Sequence, residues 1–428
     1  MKTVFLAVVL ACVVWSVGGC GGTAESPDPE ARKLLIIGID SADWRLLRPM
    51  VEEGRLPHLK GFMDQSTHGR MKTFFPFEKS PLLWASISTG VKPEVHGVLG
   101  MVKGSNQEPV RGSAWYAPAL WDIIGAADLS TSLVGMWTTY PARPINGVMV
   151  SDYLPYGSHR DKPLEGLVYP AEMTDAVVAQ RVDPASLTDE ELSRFIDPEH
   201  LAAAKEKYPR EVEQLREVWA SDLSYLNVNR LLAQGDPYDL FFFYLRGPDM
   251  ISHHFYKYLA PEKGHVHINE DEGQFFAHVV ERYYEWADEV TGEVLGWFPP
   301  DRQAVILSDH GFYGPRKSGQ KGSHEHSEWG IFLVRSPLYQ ADYPFSHLEL
   351  LDICPTFLAL MGLPAAQDMP GVVLTEGLTP EGQKKVEKME KQRVPSYQPL
   401  RPAAGPEGEV DPGVDEEIKK QLRSLGYI

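Results

Sequence analysis

Residues 33–40 read KLLIIGID, an apolar run broken by a single glycine and closed by an aspartate. A run without polar alternation is a strand buried on both faces, as in parallel sheets covered by helices. It stops at Asp40, and WRLLRPMVEEGRLPHLKGFM over 44–63 follows with helical character, so the segment reads strand, loop, helix. The pattern returns in TSLVGMW at 131–137, GVMVS at 147–151, DLFFFYL at 239–245 and QAVILS at 303–308. Short buried strands alternating with helices predict an α/β fold, a doubly wound, mostly parallel central sheet with helices on both faces. In such sheets the chemistry gathers at the carboxyl ends of the strands.

The bulk of the sequence fits this reading. A chain of 428 residues is long enough for one large core with insertions. Its 43% hydrophobic and 11% aromatic content is that of an ordinary globular protein. The net charge of −18 argues against a partner that is a nucleic-acid polymer, because such binding needs a basic field to displace counterions. Phosphate substrates remain open, since divalent metals reverse the local field inside an acidic protein.

The ends of the chain have a different character. Residues 1–19 carry Lys2 and then an apolar run from Val4 to Ser16, too short for a membrane span and right for a signal-peptide core. Val17-Gly18-Gly19-Cys20 resembles the bacterial lipobox, which implies acylation of Cys20 and export to the cell envelope with a membrane anchor. Residues 20–32 then read as a flexible tether, rich in Gly, Pro and acid. Three cysteines, two of them Cys12 and Cys20, leave no disulfide framework, and Cys354 reads as a small buried residue. The catalytic domain is expected over 33–375 with a partly helical insert at about 156–236. Within the insert, Leu215, Trp219, Leu223 and Leu226 form one helical face. A second stripe runs through Val280, Tyr283, Ala287, Val290, Val294 and Phe298. Residues 376–428 form a C-terminal extension that ends in a short amphipathic helix.

Chemistry-bearing residues follow three of the buried strands: Asp40, then Asp249 with His253, then Asp309 with His310. One carboxylate at a strand end is commonplace, because it also caps helices. Three such ends suit a pair of divalent cations about 4 Å apart, which clamp the attacking and leaving oxygens of a phosphoryl displacement. The mixed oxygen and imidazole donors suit Zn²⁺ or Mn²⁺.

At these residues the chain resembles the alkaline phosphatase superfamily, and within it the type I phosphodiesterase/nucleotide pyrophosphatase family. The matching pieces are IIGIDSAD at 36–43, EEGRLPHLKGF at 52–62, KSPLLWASISTGVKPEVHGV at 79–98, TYPARPINGVMVS at 139–151, YLRGPDMISHHF at 244–255, VILSDHGF at 305–312, HSEWGIFL at 326–333 and LDICPTFLALMGLP at 351–364. The resemblance implies an alkaline-phosphatase-like fold and a phosphoric ester hydrolase with two divalent metal ions. It implies a nucleophile nine residues before the threonine of a Thr-Gly pair, which is Ser80 before Thr89-Gly90. Asp40, Ser80, Asp309 and His310 are then expected at one metal, and Asp249, His253 and a later histidine at the other. That histidine is His326, four residues before Gly330, with His324 as the alternative.

Ser80 also reads as a helix N-cap, since Pro81 follows at a favoured first-turn position. Both readings hold together if the helix N-terminus presents backbone N–H groups to the phosphoryl group. His96 and His254 read as supporting residues. The sequence departs from the family at Leu83, where nucleotide pyrophosphatases often have asparagine, so the oxyanion partner is expected at Lys79 or a backbone N–H. It also lacks the Cys/Ser-x-Pro-x-Arg of sulfatases, because Ser80 is followed by Pro81-Leu82-Leu83-Trp84. The expected reaction is hydrolysis of a phosphodiester or pyrophosphate through a phosphoseryl intermediate. Two alternatives are transfer of phosphoethanolamine or phosphoglycerol to an envelope acceptor, and a catalytically inactive binding lipoprotein on the same fold.

Overall fold

The computed structural model describes residues 32–74, 79–156, 165–234, 238–259, 268–312, 328–401 and 412–425. The expected signal segment at 1–19, the expected tether up to residue 31 with Cys20, and His324 and His326 lie outside the described residues. The main sheet contains strands β1 (Leu34–Ile39), β2 (Thr67–Lys72), β5 (Thr131–Val134), β6 (Gly147–Val150), β7 (Val168–Tyr169), β8 (Leu240–Leu245), β9 (Gln303–Leu307), β10 (Trp329–Arg335) and β11 (Tyr343–Glu349). A separate two-stranded ribbon pairs β3 (Val102–Lys103) with β4 (Glu108–Pro109). The sheet order is β11-β2-β10-β9-β1-β8-β5-β6-β7, and the central run from β9 to β6 is parallel throughout. Strand β10 enters antiparallel to both its neighbours, and β7 runs antiparallel to β6.

The apolar runs of the central strands have no polar side because both faces are covered. Successive strand residues point to opposite faces. Leu35, Ile37, Phe241, Phe243 and Ile306 join one apolar cluster, while Leu34, Ile36, Phe242, Val305 and Leu307 join another. The first cluster is closed by the helices Trp44–Glu52, Pro57–Met63, Pro209–Ala233, Gly247–Leu259 and Val279–Gly296. The helices Ser80–Thr89, Leu120–Gly125 and Ile353–Leu360 close the second. The doubly wound expectation therefore describes the sheet, with β10 and β7 as its antiparallel members.

Both predicted helical stripes are core. Leu215, Trp219 and Leu226 are buried with Leu223 packed alongside, and Val280, Tyr283, Ala287, Val290 and Val294 are buried along the helix Val279–Gly296. Phe298 is buried just beyond the end of that helix. Cys354 is buried, and burial pushes its thiol up to about 12, so it behaves as a core residue. The C-terminal residues contain two helices, Pro380–Glu390 and Pro412–Leu425. The second lays Val414, Ile418, Leu422 and Leu425 into the first apolar cluster. It is pinned by the ion pair of Arg111 and Asp415 at 2.6 Å. Ile418→Ala is therefore expected to cost about 2–5 kcal/mol in a urea unfolding experiment, the range for a truncated core aliphatic.

Candidate active site

Strands β9, β1 and β8 are adjacent and parallel, so their carboxyl ends open on the same edge of the sheet. Asp40 directly follows β1, Asp309 and His310 lie just past β9, and Asp249 stands in the first turn of the helix after β8. Ligand atoms of Asp40, Asp249 and His310 lie within 4.8 Å of one another. His253 is one helical turn beyond Asp249, with its Nε2 at 3.5 Å from Asp249 Oδ2. All five residues are buried.

Ser80 arrives from the opposite face of the sheet. It is the first residue of the helix Ser80–Thr89, and Trp84 of that helix lies against β1 and β8. A Cβ at Gly38 would stand 2.7 Å from the Trp84 ring, so glycine there lets the helix approach the strand. The Ser80 hydroxyl donates to Asp40 Oδ1 at 3.2 Å and lies 3.2 Å from His310 Nε2. The N-cap expectation needs correction, because the cap is Lys79 and the Ser80 side chain makes no capping bond. The backbone donors expected at this helix end are also engaged. Leu82 N–H and Leu83 N–H both donate to the Lys79 carbonyl, at 2.9 and 3.1 Å, and Pro81 has no N–H. Lys79 is exposed beside Ser80. Leu83 is fully buried in the second apolar cluster, where it fills core volume.

The donor arithmetic of the cluster points to a cation. The Nδ1–H of His310 donates to the Gly311 carbonyl at 3.0 Å, which leaves a lone pair on Nε2. That Nε2 lies 3.4 Å from Asp40 Oδ1 and 3.4 Å from Asp309 Oδ2. Neither Asp309 oxygen has a hydrogen-bond partner among the described residues. Lone pairs of Asp40, Asp309 and His310 therefore converge on one buried point, with the Ser80 proton between Asp40 Oδ1 and His310 Nε2. Burial, then the neighbouring Asp40 and Asp249, hold the Asp309 carboxyl well above the usual carboxylate range. Burial also lowers His310 and keeps its imidazole neutral, the form that ligates metal. Buried carboxylates in such proximity, beside a neutral imidazole, fit a divalent cation.

Several supporting residues carried no sequence signal. Tyr244 O–H donates to Asp40 Oδ2, and the Trp137 indole N–H reaches the same oxygen at 3.5 Å. Asp43, three residues after Asp40, is a helix cap that accepts from Arg45 N–H at 2.8 Å. Ser41, between Asp40 and the helix, has φ of 67°, a left-handed conformation stabilised by its surroundings at a cost of about 1–3 kcal/mol. Asp222 accepts from Gly247 N–H at 3.1 Å and from Tyr283 O–H at 2.9 Å, holding the start of the helix that carries Asp249. Burial raises the Asp222 carboxyl to about 7.

His96 is a structural residue, as the sequence suggests. Its Nδ1 accepts from Val98 N–H at 3.2 Å, so its Nε2–H donates to Ser86 Oγ at 2.8 Å. Burial lowers it to about 3. The unfolded chain takes up a proton below about 6.5 while the folded protein does not. Stability is therefore lost as the pH falls from about 6.5 toward 3. His96→Gln should flatten that part of a pH series of urea unfolding curves relative to the wild type.

A large cleft of about 1520 Å³ lies elsewhere, between the helices Pro209–Ala233 and Pro412–Leu425. Its lining includes none of the Asp and His residues of the cluster.

The sequence matches the family described as type I phosphodiesterase / nucleotide pyrophosphatase over residues 34–318, more than half of the chain. No curated protein matches it by sequence. Among solved structures it is similar to murine ectonucleotide pyrophosphatase / phosphodiesterase 5 in complex with AMP, with 11% identity, a TM-score of 0.45, and coverage of 83% of this chain and 99% of that one. Phosphonoacetate hydrolase from Sinorhizobium meliloti matches with 16% identity and a TM-score of 0.38, covering 66% and 57% of the two chains. A sulfatase-like protein from Bacteroides thetaiotaomicron matches with 13% identity and a TM-score of 0.49, covering 80% and 74%.

Proposed function

The chain belongs to the type I phosphodiesterase / nucleotide pyrophosphatase family and is a phosphoric ester hydrolase; from that premise we propose that it cleaves a phosphodiester or pyrophosphate bond with Ser80 as nucleophile. The observation that carries this is the Ser80 hydroxyl, held between Asp40 Oδ1 and His310 Nε2 in a buried cluster of lone pairs. Asp40, Ser80, Asp309 and His310 would hold one divalent metal. Asp249, His253 and His326 or His324 would hold a second. Zn²⁺ fits this donor set best, and Mn²⁺ is the alternative. When bound, these ions supply Lewis-acid charge that lowers the hydroxyl pKa and stabilises the transferring phosphoryl oxygens.

The protein's own residues do the rest. Asp40 Oδ1 and His310 Nε2 orient the Ser80 hydroxyl, whose proton passes to solvent as Oγ attacks phosphorus. The Oγ–P bond forms, the bond from phosphorus to the leaving oxygen breaks, and a phosphoseryl ester remains. A water molecule then attacks the same phosphorus from the opposite side and releases Ser80, which recovers its proton. The position of Ser80 at a helix N-terminus adds a positive dipole to the developing negative charge. Exposed Lys79 is the nearest cationic side chain in sequence for the outer phosphate oxygens.

Bis-p-nitrophenyl phosphate turnover with added Zn²⁺ or Mn²⁺, compared between the wild type and Ser80→Ala, tests the reading. Metal-dependent release of p-nitrophenol by the wild type alone supports it. Equal inactivity of both proteins with several esters and both metals would favour the binding lipoprotein instead. Products carrying an added alcohol rather than water would indicate the phosphotransferase. The chain is also proposed to be exported and anchored at the envelope through Cys20, on the strength of its lipobox-like sequence. No helix among the described residues is long and apolar enough to cross a membrane.

A further inference from the structure

Arg246 stands out among the buried residues. It is 1% exposed and, among the described residues, the one charged residue of the largest fully buried side chains. Its Nη2–H donates to Tyr225 Oη at 2.7 Å, while Nε and Nη1 have no hydrogen-bond partner among the described residues. A buried guanidinium is costly to desolvate, and the buried Asp152 and Asp222 carboxylates and the Tyr156 hydroxyl offset part of that cost. Part of the compensation is aromatic, because the guanidinium lies 4.5 Å from the Trp137 ring centroid and 4.9 Å from that of Tyr225.

The loop that carries Trp137 is held just as firmly. Thr138, the next residue, has φ of 59°, unusual for a β-branched side chain. The Asp152 carboxylate fixes that conformation, accepting from Thr138 N–H at 2.9 Å, Thr139 N–H at 3.2 Å and Tyr140 N–H at 3.0 Å. Tyr225, the second aromatic face against Arg246, donates its hydroxyl to the Asp152 carbonyl at 3.0 Å. Trp137, Thr138 and Asp152 line one small cavity together with Pro81, the residue after the nucleophile.

We propose that Trp137 is a positioning residue for Asp40 and that Arg246 serves to hold the Trp137 indole in place. Tyr244 O–H and Trp137 N–H both point at Asp40 Oδ2. The other oxygen, Oδ1, is the one that faces Ser80 and His310. With Oδ2 taken by two donors, Asp40 would offer Oδ1 to a metal ion, and that oxygen stays aligned with the Ser80 hydroxyl. Outer donors of this kind set ligand orientation and charge. Trp137→Phe keeps the ring against Arg246 and removes the N–H. Arg246→Lys keeps the buried charge and removes the planar stack.

The proposal rests on Asp40 being a metal ligand, and its test separates the two ideas. Zn²⁺ binding to the full chain after chelator treatment would be measured by calorimetry, beside the thermal midpoint of the metal-free protein and kcat and KM for bis-p-nitrophenyl phosphate. Trp137→Phe is expected to weaken Zn²⁺ binding by about 10–100-fold and lower kcat more than it raises KM, with an unchanged metal-free midpoint. Arg246→Lys should reproduce the loss of affinity. The double variant should be no weaker than the worse single variant, because both substitutions act through one contact. Wild-type affinity in Trp137→Phe, or losses that multiply in the double variant, would overturn the positioning role while leaving the metal site intact. Failure of the wild type to bind Zn²⁺ would overturn both.

Discussion

Replacing Ser80 by alanine is expected to lower kcat for a diester substrate by roughly a thousandfold or more, on the order of 4 kcal/mol of transition-state stabilisation. The size follows from the role, since loss of a nucleophile removes a whole covalent step, and among the described residues Ser80 alone places a hydroxyl on Asp40 Oδ1. The fold should be little disturbed. Ser80 makes no capping bond, and alanine fits the first turn of the helix Ser80–Thr89. Substrate affinity should change far less than kcat, because the positive helix end and Lys79 remain. Steady-state kinetics with both metals, together with a thermal scan showing a wild-type midpoint, check the prediction. A variant that kept within tenfold of wild-type kcat would remove Ser80 from the chemistry.

Asp309→Asn is expected to act in opposite directions with and without metal. In the metal-free protein, burial and then the neighbouring Asp40 and Asp249 hold the Asp309 carboxyl well above the usual range. A carboxyl raised in the folded state retains more protons there than in the unfolded chain. Its contribution to stability is full below about pH 4, the unfolded value, and is lost as the pH climbs through the raised folded value. Asparagine does not ionise and removes that loss, so the metal-free variant should melt above the wild type at pH 8 and draw level with it near pH 4. With metal the order reverses. At a hundredfold excess of free Zn²⁺ over Kd the wild type gains about 2.7 kcal/mol from binding, whereas the variant gains little. Thermal scans at both pH values, in chelator and in Zn²⁺, give the four midpoints that check this. A variant stabilised by Zn²⁺ as much as the wild type would place Asp309 outside the metal site.

The fold was legible where burial on both faces left its mark on the sequence. LLIIGI, DLFFFYL and QAVILS had no polar side to hide, so their strand character, their parallel pairing and the common edge of Asp40, Asp249 and Asp309 could be read together. The antiparallel entry of β10 was not readable, because strand direction depends on the path of the preceding chain rather than on IFLV itself. The capping of the helix Ser80–Thr89 was misplaced by one residue, since Ser before Pro is the usual cap pattern, whereas here the Ser80 hydroxyl turns to Asp40 and His310. Trp137, Asp152 and Tyr244 escaped notice for a different reason. Their roles come from contacts between segments far apart in sequence, and an isolated Trp, Asp or Tyr has no spacing to reveal them. Arg246 did leave a signal, a cation at the end of the apolar run DLFFFYL, where an unpaired charge is costly.

The account turns on a covalent bond between Ser80 and phosphorus, so the most direct measurement is to trap it. Enzyme loaded with Zn²⁺ and mixed with bis-p-nitrophenyl phosphate would be quenched in acid within the first turnovers and digested for mass spectrometry. The predicted result is a nitrophenyl-phosphoryl adduct on Ser80 that forms with the first burst of p-nitrophenol and is absent from Ser80→Ala. A first-turnover burst accompanied by an adduct on another side chain, or steady turnover with Ser80 unmodified under every quench, would contradict it.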